Sequence, residues 1–449
     1  MAWRSECGMI PIGILTSSLP NREWCDHEFS GYQWITDEES VMCMRSTLLL
    51  YGTFLFPALI SFAQAQDASV STGNAPDAAQ PTVANVRSID ACMETFVRSG
   101  EIAGAVTLVA DAERILHLGA VGDAKLQGAP TDTAEPMRVD SIFWIASMSK
   151  PVTGVCVMQL VDQGKLSLDD PIDRYLPEMR ELKNDAGDRV TVTIRQLLNH
   201  TSGMRELRDP YGHPSLAAAS LLYASAGVQF PPGTKWQYSQ TSINTAARIV
   251  EVISGLTFDE YAHRFLFEPL GMVDTGFYLT AEQASRLATS YRRTSDGKLE
   301  PAPIFLLAGK EPTDRHRMPA ANGGLFSTAT DYARFCQMLL GNGSFEGHRV
   351  LFEASVLTLR TPSTRDLVTG FTTGNAWGVG VCVIRAPQGA TSALSPGSYG
   401  HGGAFGTQAW LDPVRGRVYI VMVQRTNFPN ADDSDMRKRF QDIASQLPQ

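Results

Sequence analysis

Ser147 and Lys150 stand three residues apart in the stretch FWIASMSKPVTG, Phe143 to Gly154. A serine hydroxyl is a weak nucleophile until a neighbour takes its proton. A lysine can do so when burial and nearby positive potential lower its pKa. On a helix this spacing returns the second side chain to the same face one turn later. Pro151 pins a helix start at about Ser147, because proline is tolerated in the first turn and costly in the interior. The apolar run behind it (Val152, Val155, Cys156, Met158, Leu160, Val161) reads as a buried helix. At such a terminus, free N–H groups favour negative charge and help hold an oxyanion.

The spacing alone is weak, since Ser295-Asp-Gly-Lys298 repeats it beside an Asp-Gly turn signal and with no buried helix behind it. The bland alternative for Ser147 is a capping serine with a surface lysine. Context separates the two copies. The elements that must position Ser147 follow from periodicity. A helix is expected from Ile89, capped by Ser88 and closed by Gly100. Two strands follow, Ala105–Ala110 and Arg114–Val121. Residues 146–375 read mostly as helices and long loops. Strands return at Gly397–Gly402, Phe405–Leu411 and Val418–Gln424, and a last helix carries Met436, Phe440, Ile443 and Leu447 on one face. The expected fold is therefore α/β plus an all-α insertion. One antiparallel sheet is built from N- and C-terminal segments (about 87–145 and 376–449) with flanking helices, and a mostly helical subdomain (about 146–375) packs beside it.

The segment around Ser147 resembles the active-serine segment of the beta-lactamase-related serine hydrolases: class C beta-lactamases, DD-peptidases and family VIII carboxylesterases. IRQLLNHTSGM (Ile194–Met204), FPPGTKWQYSQTSIN (Phe230–Asn244), ANGGLFSTATDYARF (Ala321–Phe335) and YGHGGAFGTQAWLDP (Tyr399–Pro413) resemble further family segments, in family order. The resemblance implies a beta-lactamase/transpeptidase-like fold, with Ser147 as nucleophile and Lys150 as its partner. It implies that Tyr238, as a phenolate held between Lys150 and another donor, accepts the serine proton and later activates water. It places the oxyanion N–H groups on Ser147 and Ala404, and substrate contacts at Gln240, His401, Gly402 and Gly403. Two departures matter. Gln240 stands where lactamases have asparagine. His401 replaces the lysine that would hold a substrate carboxylate, and neutral imidazole attracts an anion far less than ammonium does. Beta-lactams and peptidyl-D-alanine carry that carboxylate and simple esters do not, so carboxylic ester hydrolysis is expected. A beta-lactamase or D-alanyl-D-alanine carboxypeptidase is the alternative, and a non-turnover penicillin-binding sensor the next. His200 is assigned a structural part.

Composition is that of a globular protein: 449 residues, 43% hydrophobic, net charge −9. No basic block points to nucleic acid. No Gly-x-Ser-x-Gly elbow, no His-Glu-x-x-His and no phosphate loop occurs. The mechanism needs no cofactor and no metal; the expected partner is a small ester or lactam. Met44-Arg45, the apolar run Leu48–Phe62 and Ala63-Gln64-Ala65 read as a secretory signal over 42–65, cleaved after Ala65. A periplasmic or secreted protein with no stable membrane span is then expected; an uncleaved anchor is the rival. Residues 1–41 read as lying upstream of a start at Met42 or Met44, residues 66–86 as a flexible tether, and 87–449 as the hydrolase domain. Cys92, Cys156, Cys336 and Cys382 show no close pairing and no metal-type spacing; buried free thiols are the plainer reading, and a disulfide, which export would allow, is the alternative.

Overall fold

The computed structural model describes residues 83–448, apart from 129–132, 208 and 210. The expected leader, the segment before it, most of the tether and Cys7, Cys25 and Cys43 lie outside the described residues. Helix α1 (Val83–Arg98) starts earlier than its apolar periodicity indicates, so Ser88 is interior and not a cap. No glycine or proline between Val83 and Ser88 stops the helix from running upstream. Gly100 closes it in the left-handed conformation, φ +64°.

Strands β1 (Gly104–Ala110), β2 (Ile115–Lys125) and β3 (Glu135–Pro136) follow α1. After a long helical middle come β4 (Asn375–Trp377), β5 (Cys382–Ile384), β6 (Tyr399–Gly402), β7 (Gln408–Asp412) and β8 (Arg417–Met422). They form one eight-stranded antiparallel sheet in the order β4-β5-β6-β7-β8-β1-β2-β3. The two ends of the chain meet where β1 pairs with β8, Val106 opposite Met422 and Ala110 opposite Val418. The fold class is the one expected: a sheet from both termini with a helical insertion.

The middle supplies α2 (Ser149–Asp162), α3 (Gln240–Ser254) and α4 (Ala329–Leu340), and the chain closes with α5 (Asp435–Ala444). Side chains alternate across the strands. Val106, Leu108, Ile420 and Met422 face the core that contains α2 and α4. Val109, Tyr419 and Val421 face α1 and α5, packing with Met93, Phe96, Met436 and Phe440. Every residue of α2 from Ser149 to Leu160 is buried. A helix apolar on all sides can sit only between layers, and α2 lies between the sheet and the helical middle.

Gly154 shows how closely α2 is held. A Cβ there would lie 2.5 Å from the Val379 carbonyl oxygen. Alanine normally favours a helix over glycine by about 1 kcal/mol. The collision reverses that sign. Gly154→Ala is expected to lower Tm and to cost about 1–3 kcal/mol in denaturant unfolding; an unchanged or raised Tm would show that this packing is looser than described.

Candidate active site

Ser147 sits in a 3-10 turn, Ala146–Met148, that runs directly into α2, so Pro151 falls within the first turn of that helix. The residue before it, Ala146, has φ +46°. Left-handed backbone at an alanine is strained and persists only where neighbours over-determine it. Ser149 does this: its Oγ donates to the Ala146 carbonyl at 2.7 Å and accepts from Leu325 N at 3.1 Å. The other Ser-x-x-Lys copy lies on an exposed turn, where Lys298 is 78% exposed and pairs with Asp296.

Lys150 is fully buried. Its Nζ lies 3.1 Å from Ser147 Oγ, 2.9 Å from Gln240 Oε1 and 2.6 Å from the Asn322 carbonyl oxygen. Burial pushes its pKa well below that of an ordinary lysine, with Glu206 pulling the other way. A neutral amine suits these partners. Two N–H bonds go to the two oxygens that can only accept, and the lone pair is left for the Ser147 hydroxyl. That is the arrangement of a general base.

Tyr238 completes the group. Its ring lies 4.6 Å below Nζ, and its hydroxyl is 3.3 Å from His401 Nε2. His401 is buried, and its Nδ1 is 2.6 Å from the Gly402 carbonyl. Burial lowers its pKa to about 3, with Lys150 adding to the effect, so the ring is neutral. Nδ1 must then carry the proton to face a carbonyl, and Nε2 accepts from the Tyr238 hydroxyl. This corrects one expectation: His401 does not face substrate, because both its nitrogens are engaged. It also departs from the phenolate that the resemblance implies at Tyr238, since the hydroxyl donates to His401 Nε2.

Gln240 also differs from expectation. Its Oε1 accepts from Lys150 and from Asn322 Nδ2 (2.8 Å), so its carbonyl end clamps the base and only Nε2 is left for substrate. Gly402 and Gly403 were expected to admit substrate; the structure instead packs protein against them. A Cβ on Gly402 would meet Asp432 Oδ1 at 2.0 Å, and one on Gly403 would meet Thr407 Oγ1 at 2.1 Å and the Ile145 oxygen at 2.6 Å. The second contact docks β6 onto the residue two before Ser147. Ala404 follows at once, and among the described residues no backbone carbonyl accepts from its N–H.

His200 lies inside the structural frame. Its carbonyl accepts from Gln237 N (2.9 Å) and its Nδ1 from Ser239 N (3.1 Å), holding the backbone on both sides of Tyr238. Burial, with Lys150 and His401 nearby, takes its pKa far down, so it is a neutral acceptor and not a base. Trp377 stacks on it edge-on at 4.7 Å and on His401 at 5.3 Å. Sequence reasoning missed Asn322, whose carbonyl holds Lys150, and Asn244, whose Oδ1 accepts from Asn322 N at 3.1 Å. The available signal was the Asn-Gly-Gly turn in ANGGLFS. The remaining thiols Cys92, Cys156, Cys336 and Cys382 are free.

Tyr238→Phe keeps the ring contacts and removes only the hydroxyl. It is expected to lower kcat by about 10²–10⁴-fold with Tm nearly unchanged. Wild-type kcat in that variant would remove Tyr238 from proton transfer.

A family model described as Beta-lactamase matches residues 89–442. Protein Rv1367c of Mycobacterium tuberculosis is 32% identical over 373 residues, covering 76% of this chain and 90% of its own. Esterase EstB of Burkholderia gladioli is 29% identical, covering 74% and 89%. Among solved structures, EstCE1, described as a hydrolase with promiscuous acyltransferase activity, superposes with a TM-score of 0.69 at 23% identity, over 81% of this chain and all of that one.

Proposed function

This chain belongs to the beta-lactamase family of serine hydrolases, and within that family we propose that it hydrolyses carboxylic esters through an acyl-enzyme on Ser147. Lys150 takes the hydroxyl proton, and Ser147 Oγ attacks the ester carbonyl carbon. The Ser147 and Ala404 N–H groups hold the oxyanion. Collapse of the tetrahedral intermediate expels the alcohol, which takes the proton back through the Lys150–Tyr238 pair. Water, activated by the same pair, then releases the acid and restores Ser147.

The observation that carries the ester reading is the engagement of both cation candidates. Lys150 Nζ has three partners within the protein and no donor to spare. His401 is neutral, buried and bonded at both nitrogens. A substrate carboxylate would enter without a counter-charge, which is costly in a site shielded from water. An uncharged ester meets no such penalty. The likeness to an esterase, EstB, supports the same choice. Trp144, three residues before the nucleophile, stacks on buried Phe405 at 4.6 Å and on Phe305 at 5.1 Å, and Phe305 leaves an apolar face 45% exposed. That face suits an apolar group.

The test sets a p-nitrophenyl ester series against nitrocefin. Esters are expected to show at least about tenfold higher kcat/KM, the equivalent of 1.4 kcal/mol in transition-state binding. Faster lactam turnover would reverse the ordering. A fluorophosphonate adduct on Ser147 without turnover of any ester or lactam would favour a sensor.

We further propose that the domain is exported, as the leader-like stretch at 42–65 suggests. Expressed with its own leader in a bacterial host, the mature chain is expected in the periplasm or medium, beginning at Gln66. N-terminal sequencing checks this; an intact 42–65 segment on a membrane-bound product would favour the anchor.

A further inference from the structure

We propose that Glu206 is a positioning residue for this site. It clamps the start of α3 so that Tyr238 and Gln240 reach Lys150. The inference rests on the Ser147–Lys150 reading above.

The clamp is a set of named hydrogen bonds. Glu206 Oε1 accepts from Ser239 Oγ at 2.7 Å and from Gln240 N at 2.8 Å. Both carboxylate oxygens accept from Thr241 N at 3.3 Å, and Oε2 also accepts from Thr241 Oγ1 at 3.3 Å. Ser239, the N-cap of α3, is fixed in turn by Ser242 N (3.1 Å) and Ser242 Oγ (2.9 Å). One of the three residues it grips, Gln240, is the one whose side chain holds Lys150 Nζ. Tyr238 is two residues earlier on the same chain. A path of direct bonds therefore runs from Glu206 through Gln240 and Lys150 to Ser147.

A capping carboxylate with no part in the chemistry would look similar in its backbone contacts. The surroundings of Lys150 argue for more. The titratable groups facing that amine are Tyr238, His200, His401 and Glu206; both imidazoles are neutral, and the Tyr238 hydroxyl bonds to one of them, His401. Glu206 is the carboxylate of this set, and it favours the charged form of Lys150 against the larger effect of burial. Tyr211 and Tyr223, which face Glu206 in turn, are held protonated by burial. Glu206 is exposed by area, but its carboxylate is turned onto α3 and burial there raises its own pKa, so its field acts on Lys150 only where it is ionised.

The sign follows directly. A carboxylate favours ammonium, so removing its charge lets Lys150 lose its proton at lower pH. The experiment measures the rate of fluorophosphonate labelling of Ser147 by intact mass from pH 4 to 10, for wild type, E206Q and E206A, with Tm for each. E206Q keeps a carbonyl acceptor and loses the charge. Its acid limb is expected to fall by about half a pH unit or more at wild-type Tm. E206A also loses the clamp, and its plateau rate is expected to fall by about tenfold or more. An E206Q limb that coincides with wild type, or an E206A plateau equal to wild type, overturns the proposal. Wild-type protein that stays unlabelled, or labelling that survives in S147A, would instead strike the Ser147 reading itself.

Discussion

The site depends on one amine removed from water. Lys150 is fully buried and has only neutral acceptors within hydrogen-bond reach. An ammonium in that position loses several kcal/mol of hydration, and two carbonyl oxygens and a hydroxyl do not fully replace it. Burial therefore shifts the balance toward the neutral form, and only that form has a lone pair to offer a serine. Gln240 and Asn322 arrive from segments far apart in the chain, and Asn322 Nδ2 bonds to the Gln240 oxygen as well. The two acceptors are thus locked to each other before they hold the amine. The strained Ala146 is explained on the same basis. Its backbone turns Ser147 toward Nζ, and the cost is met by the Ser149 bonds to Ala146 and Leu325.

Two neutral imidazoles flank Tyr238 in complementary roles. His200 accepts a backbone N–H at Nδ1, which puts its proton on Nε2. His401 donates from Nδ1 to the Gly402 carbonyl, which leaves Nε2 as an acceptor for the phenol. One ring fixes the main chain that carries Tyr238, and the other fixes its hydroxyl. Trp377 touches both rings and the phenol, so the orientation of all three is set by one packed aromatic cluster. Such packing keeps water away and strengthens each polar contact inside it.

Much of this was legible in the sequence. Pro151 and the apolar run behind it marked a buried helix with a serine and a lysine at its start. The alternation near both ends marked a sheet shared by the termini. The roles of Gln240 and His401 were not legible, because each depends on a partner more than eighty residues away: Lys150 for Gln240, Tyr238 for His401. A resemblance assigns a position to a motif, but hydrogen bonding decides which end of a side chain is free. Ser88 was misread for a local reason, since capping propensity cannot outweigh an uninterrupted helical run on both sides.

The glycines of the third segment join these threads. An oxyanion hole built from two distant N–H groups works only if the strand carrying one comes within contact of the turn carrying the other. At Gly403 that contact is so close that any side chain would collide with the Ile145 carbonyl, while Thr407 Oγ1 bonds the same oxygen at 3.4 Å. The sheet register then extends the constraint. Gly402 pairs with Gln408 and His401 with Ala409, so the pairing that brings Ala404 toward Ser147 also sets the depth of His401. A shift of one residue between β6 and β7 would turn His401 to the other face of the sheet and remove the acceptor of the Tyr238 proton. The two N–H groups proposed as oxyanion donors and the Tyr238–His401 bond therefore cannot be adjusted independently. One register between two short strands holds both.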